Sequence, residues 1–170
     1  MSDFRPATPA DAVALRNLEK AANLASLGHV FPPEHHPYPD EAVLARWRAA
    51  LDDPGVRVEV VEGAERLRAV AAYDATTLRH LAVHPDDWGT GLGRLTVHQA
   101  MAGMAVAGAE RALLWCLAEN HRARGLYTHL GWCRTGRTRA AEWAPYPLEE
   151  QYVIVLRRPE PETRTLGVEE

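Results

Sequence analysis

Lysine is almost absent: of the 19 basic residues in this chain of 170, only Lys20 is a lysine. A phosphate-binding P-loop needs Gly-Lys-Ser/Thr, so that class is excluded, and the scarcity argues against Schiff-base chemistry. Cysteine is nearly as scarce. Cys116 and Cys133 lack metal-ligand spacing, and such a pair reads as reduced intracellular thiols rather than a disulfide scaffold. Strong charge of one sign is missing too, with a net charge of −4 and an isoelectric point near 6.1. That argues against a nucleic-acid binder held by phosphate contacts. No apolar run approaches the roughly 18 residues of a membrane span, and Met1 to Pro6 carry no signal-peptide core. The expectation is a cytoplasmic protein without a membrane partner. What is present is ordinary for a globular chain, 46% hydrophobic and 25% charged, and the length suits one domain rather than two. Residues 1–158 are assigned to that domain. Residues 159–170, with two prolines and four glutamates, read as a solvated tail.

The periodicity changes along the chain. Thr8-Pro9-Ala10-Asp11 reads as a helix start, with Thr8 as cap, and Leu15, Leu18 and Ala22 continue it as an amphipathic helix. Residues 31–39 are too rich in proline and histidine to be regular. A second helix is predicted from about Asp40 to Leu51. Val56, Val58 and Val60 then alternate with charged residues as a strand, and Leu67 to Tyr73 reads as its antiparallel partner. Thr76 to Val83 is a further strand, followed by a glycine-rich stretch that opens a helix reaching about Ala107. Ala112 to Leu117 has the composition of a strand buried on both faces. Asn120 to Leu130 is a short helix with Asn120 as N-cap and Gly131 at the C-terminal glycine position. Trp132 to Gly136 and Tyr152 to Leu156 read as the last two strands.

The most informative segment runs from Leu81 to Arg94. A strand enters a loop with glycines at 89, 91 and 93, and a helix begins at once, so several unpaired N–H groups converge with a helix dipole behind them. This is an anion site suited to a pyrophosphate, and Arg94 can add a charge-assisted contact. The spacing fails the dinucleotide fingerprint, because the sixth position is Arg94 from Gly89 and Thr96 from Gly91. The second segment, Asn120 to Trp132, follows a buried strand about thirty residues later. Val83, Pro85, Gly91 and Gly93 match an acyl-CoA motif, and Asn120, Ala123, Tyr127, Gly131 and Trp132 match a later Asn-x-x-Ala-x-x-x-Tyr-x-x-x-Gly-aromatic motif. Together they resemble the GNAT superfamily of N-acetyltransferases across roughly residues 3–157. One position departs: Trp88 stands where the family has Gln or Arg, and packing is the role expected of it.

The resemblance implies an α/β fold with a mixed, mostly antiparallel sheet of six or seven strands and about four helices. A splayed cofactor cleft would lie between the fourth and fifth strands. Acetyl-CoA would be the acyl donor, with contacts from Leu81, Ala82 and Val83 on the strand. The loop and helix start, Trp88, Gly89, Thr90, Gly91, Leu92, Gly93 and Arg94, would hold the pyrophosphate, and Asn120 the arm. Tyr127 holds the family's position for the general acid that protonates the departing thiolate. No metal is implied, and a homodimer is compatible with the resemblance. The base stays open among His80, His84, Glu34, His35, His36 and water. Residues His29 to Glu41 include Glu34, Asp40 and Glu41, which suit a cationic amine, while Phe31, Tyr38, Trp143 and Tyr146 are candidate pocket aromatics. The expected activity is acetyl transfer to a primary amine of a small molecule or peptide. The competing readings are a non-catalytic acyl-CoA sensor of the same fold and a different nucleotide binder using the same loop.

Overall fold

The structure, a computed structural model, describes residues 3–156, so the predicted tail lies outside the described residues. Seven strands form one sheet: β1 (Phe4–Pro6), β2 (Arg57–Glu62), β3 (Leu67–Tyr73), β4 (Thr77–Val83), β5 (Arg111–Leu117), β6 (Cys133–Ala140) and β7 (Leu148–Val155). Their spatial order is β1-β2-β3-β4-β5-β7-β6. Every pair is antiparallel except β4 and β5. The helices are α1 (Ala12–Ser26), α2 (Asp40–Asp52), α3 (Leu92–Val106) and α4 (His121–His129). None is long and apolar enough to cross a membrane.

The alternation along β3 explains the layering. Val70 and Ala72 pack with Leu15, Leu18, Val43 and Trp47 of α1 and α2. Ala71 and Tyr73 point the other way, into a cluster with Val97, Ala100 and Met104 of α3 and Tyr127 of α4. Helices therefore cover both faces of the sheet's centre, which is why β3 is buried at every position but Arg68. At Gly103 of α3 an added Cβ would stand 2.1 Å from the Tyr73 hydroxyl. Only glycine lets this helix lie so close, and the hydroxyl donates to Glu59 at 2.7 Å.

Several predicted boundaries shift. Pro9–Asp11 forms a 3-10 turn before α1 with Thr8 as its N-cap, and the Asp11 carboxylate closes the capping box by accepting the Thr8 N–H at 2.7 Å while it pairs with Arg5. β5 alternates instead of being buried on both faces: Ala112, Leu114 and Cys116 are buried, while Leu113 and Trp115 between them are half-buried. The last two strands are longer than predicted. β6 is exposed along its whole length, so its sequence, rich in arginine and threonine, carries no apolar signal.

Candidate active site

A register fault in β4 creates the cleft. Ala72 pairs with His80, but Tyr73 pairs with Leu78, so Arg79 is the extra residue of a bulge. Before the bulge the backbone of Thr76 faces β5, where its carbonyl accepts the Leu113 N–H. After it the parity is reversed. The His84 N–H bonds to Arg68 of β3, so Ala82 also pairs toward β3, while Leu81 and Val83 face away from it. The parallel β4–β5 ladder consists of Thr77–Leu113 and Leu78–Leu114 and stops there. Beyond it the strands diverge around a cleft of about 1730 Å³.

The glycine loop closes one end. Pro85–Asp87 makes a 3-10 turn whose buried Asp87 is clamped by Arg68 at 2.7 Å. Gly89 and Gly91 have φ of 79° and 86°, the left-handed region that side chains disfavour. Gly93 differs: its φ is not left-handed, and a Cβ there would only meet Leu126 of α4 at 3.4 Å, an ordinary contact. The result is a run of amides. None of the N–H groups from Gly89 to Arg94 has an acceptor among the described residues, whereas Trp88 and Leu95 on either side both bond to backbone carbonyls. Of the residues expected to hold the cofactor, Thr90 and Leu92 do not line the cleft. The Thr90 hydroxyl donates to the Asp87 carbonyl, and the Leu92 side chain is buried against Val61, Ala69 and Val83. Ala82 lines the cleft but spends its backbone bonds on β3, leaving Leu81 and Val83 as the strand positions with polar groups directed at it.

Trp88 packs, as expected, and also does something the sequence did not signal. Its Nε1 donates to the Val83 carbonyl at 2.8 Å, taking one of the cleft-facing groups, and the Arg122 guanidinium of α4 lies 3.9 Å above its ring. The two residues form a cation–π contact between the walls of the cleft.

The opposite wall is α4, and its motif is a helix capped at both ends. Asn120 Oδ1 accepts the Ala123 N–H, leaving its amide NH₂ without a partner among the described residues and beside the cleft. At the other end the Trp132 N–H reaches the Tyr127 carbonyl and the Gly131 N–H that of Thr128, with Gly131 at φ 90°. This is a Schellman cap, and its customary apolar contact is the Tyr127–Trp132 ring pair at 6.0 Å. The cap thereby fixes the Tyr127 ring, which also meets Tyr152 at 6.2 Å. Tyr127 is buried, lines the cleft, and its hydroxyl has no hydrogen-bond partner among the described residues. Burial, reinforced by Cys116, raises its pKa above the usual phenol value, and burial pushes the Cys116 thiol up to about 12.

The far end of the cleft is aromatic. Phe31, Tyr38, Trp115 and Trp143 line it, whereas Tyr146 is 63% exposed and lies outside. The acidic residues expected to draw a cationic amine lie elsewhere. Asp40 pairs with Lys20 at 2.8 Å and Arg16 at 3.3 Å, and Glu34 and Glu41 are exposed away from the cleft. The loop turns Phe31 and Tyr38 inward because burying rings is favourable and burying carboxylates is not. The cleft's own carboxylates are Glu19, Asp74, Asp87, Glu142 and Glu149. All pair with arginine except Glu142, which has no partner among the described residues. Among the candidate bases, His35, His36 and His80 line the cleft. His84 instead caps the 3-10 turn, its Nδ1 accepting the Asp86 N–H. Burial, with the Arg46 and Arg79 charges, lowers the His80 pKa to about 3, so it is a weak base.

A splayed parallel strand pair, an amide-lined glycine loop and a buried tyrosine on the facing helix are set in one mixed, helix-covered sheet, which is the GNAT fold. The chain belongs to the Acetyltransferase (GNAT) family, whose profile matches residues 12–132. No curated protein sequence matches it. Among solved structures it is similar to a GCN5-related N-acetyltransferase from Rhodopseudomonas palustris, with 16% identity, TM-score 0.75 and coverage of 92% of this chain and 96% of that one. The ribosomal-protein-S18-alanine N-acetyltransferase from Escherichia coli gives 18%, 0.68, 94% and 96%. An acetyltransferase from Salmonella typhimurium, solved with its cofactor acetyl-CoA, gives 19%, 0.65, 95% and 98%.

Proposed function

We propose that the chain is an N-acetyltransferase that moves an acetyl group from acetyl-CoA directly to a primary amine of a small molecule or peptide, both substrates being bound at once. The observation that carries this reading is that Gly89, Gly91, Gly93 and Arg94, with their amides unpaired among the described residues, line the same cleft as Tyr127. The loop would hold the pyrophosphate, since amides at a helix N-terminus complement an anion. Leu81 and the Val83 N–H would pair with the pantetheine arm, and the Asn120 amide would reach it from α4. Attack by the amine nitrogen on the thioester carbonyl breaks the C–S bond, Tyr127 would give its proton to the departing thiolate, and the proton lost by the amine would pass to water and so back to the phenolate. Its raised pKa keeps the phenol protonated at every working pH, and a thiolate expelled into the same apolar surroundings is correspondingly more basic. The aromatic end, with the unpaired Glu142 beside Trp143, would receive an amine carrying an apolar body. The acceptor of the Escherichia coli relative, an alanine of a ribosomal protein, makes a peptide amine a further class to test.

The second reading, an acyl-CoA sensor, is favoured by one observation: no carboxylate stands at the His80 position and His80 itself is a weak base. Release of CoA thiol from acetyl-CoA across a panel of arylalkyl, polyamine and peptide amines separates the two. Amine-dependent release supports transfer. Tight acetyl-CoA binding with no release for any amine supports the sensor.

A further inference from the structure

We propose that His29, Glu119 and His121 form a binding site for a divalent zinc-type cation, separate from the transfer chemistry, that clamps the α1–α2 connection to the β5–α4 turn. Their ligand atoms all lie within 4.8 Å of one another. His121 Nε2 stands 3.4 Å from Glu119 Oε2, the edge expected of a tetrahedral zinc site with bonds of about 2.0–2.1 Å. His29 Nε2 also stands 2.8 Å from the Glu119 carbonyl, which holds the ring against the β5–α4 turn. The two imidazoles are already neighbours, 5.7 Å apart between ring centroids. Two imidazoles and one carboxylate suit zinc over magnesium or calcium, which prefer all-oxygen shells. All three residues are exposed, so water can complete the coordination.

The position gives the site a consequence. His29 follows Leu27 and Gly28, and Glu119 and His121 flank Asn120, and these intervening residues line the cleft. An ion there joins the loop that walls the aromatic end to the turn that presents Asn120. The sequence gives no hint of it, because His29 and His121 are far apart in the chain.

The test needs no activity. Zn²⁺ titrated into metal-free protein by calorimetry should bind once per chain, and His29→Ala, His121→Ala and Glu119→Gln should each weaken it by about tenfold or more. Cys133→Ser and His36→Ala should leave it unchanged. Co²⁺ should give a d–d spectrum without thiolate charge transfer, and amide exchange across residues 27–39 should slow when Zn²⁺ is added. Circular dichroism checks that the variants stay folded, which exposed positions permit. Undiminished binding in the His29→Ala/His121→Ala double variant, a thiolate band, or no saturable binding by the parent protein would overturn the proposal.

Discussion

The two ends of the cleft are built from different materials. The glycine-loop end is backbone: consecutive amides from one stretch of chain, with side chains contributing little beyond Trp88 and Arg94. The aromatic end is side chain: Phe31 and Tyr38 come from the α1–α2 connection, Trp115 from β5 and Trp143 from the β6–β7 connection. A backbone site tolerates most substitutions but not a change of dihedral, and it suits a ligand that never varies. A side-chain site can be rewritten one ring at a time, which suits a ligand that differs between relatives. Tyr127 stands where the two meet.

The largest effect should come at that junction. Tyr127→Phe keeps the ring against Trp132 and Tyr152 but removes the hydroxyl, and turnover should fall roughly 10²–10⁴-fold, the range for losing a general acid. Acetyl-CoA affinity should barely move. The deficit should shrink with a thioester whose leaving thiol is more acidic, because that thiolate needs less help. Full activity in Tyr127→Phe would reduce the residue to packing.

Next in size is a break at the backbone end. Gly91→Val forces a β-branched residue into φ near 86°, where even ordinary side chains cost about 1–2 kcal/mol. No atom of the protein lies within 4 Å of the Cβ it would add, so the damage should fall on loop geometry and on any ligand that approaches. The rise in melting temperature that acetyl-CoA gives the parent protein should vanish, each protein being compared with its own ligand-free value. A retained rise would place the pyrophosphate elsewhere.

How legible each end was follows from the same contrast. Residues 81–94 and 120–132 are contiguous, so strand, loop and caps could be read from spacing, whereas the split between β4 and β5 was implied only by the family resemblance. The bulge at Arg79, which decides that Leu81 and Val83 rather than Ala82 face the cleft, depends on cross-strand register and leaves no mark in the local pattern. The acidic reading of His29 to Glu41 failed because charge was counted without direction. Asp40 was already committed to Lys20 and Arg16, partners more than twenty positions upstream in the case of Arg16. Trp115 was read as one more apolar residue of a buried strand, although it looks into the cleft beneath Arg139 at 4.2 Å. β1 was missed because three residues, Phe4 to Pro6, are too few to show alternation.

The aromatic end supplies a sharper test of the division. Trp143→Ala should raise the Michaelis constant of a working amine by about tenfold, equivalent to about 1.4 kcal/mol of lost contact, and leave that of acetyl-CoA within twofold. Glu34→Gln with Glu41→Gln should change neither constant, since both carboxylates lie outside the cleft. A rise in the amine constant for the double glutamine variant would restore the acidic loop as the recognition element. Equal effects of Trp143→Ala on both substrates would dissolve the distinction between the ends.

The smallest effect concerns His80, which lines the cleft just beyond the bulge, its ring 5.2 Å from that of Trp47. Its pKa is lowered from 6.5 to about 3 by burial and by the Arg46 and Arg79 charges. Between those values the unfolded chain holds a proton that the folded protein refuses. Stability from this group is therefore complete above pH 6.5 and is lost as pH falls toward 3, at no more than about 1.4 kcal/mol per pH unit. Asp11, held below the carboxylate range by its bonds to Arg5, acts with the same sign only at still lower pH, so the interval from 6.5 to 5 isolates His80 from it. His80→Gln removes the titrating group. Urea unfolding at pH 7.5, 6 and 5 should show the parent protein losing stability faster than the variant as pH drops. Parallel loss in the two proteins would mean that folded His80 takes up a proton near pH 6.5. In that case it becomes the leading candidate for the base that deprotonates the amine.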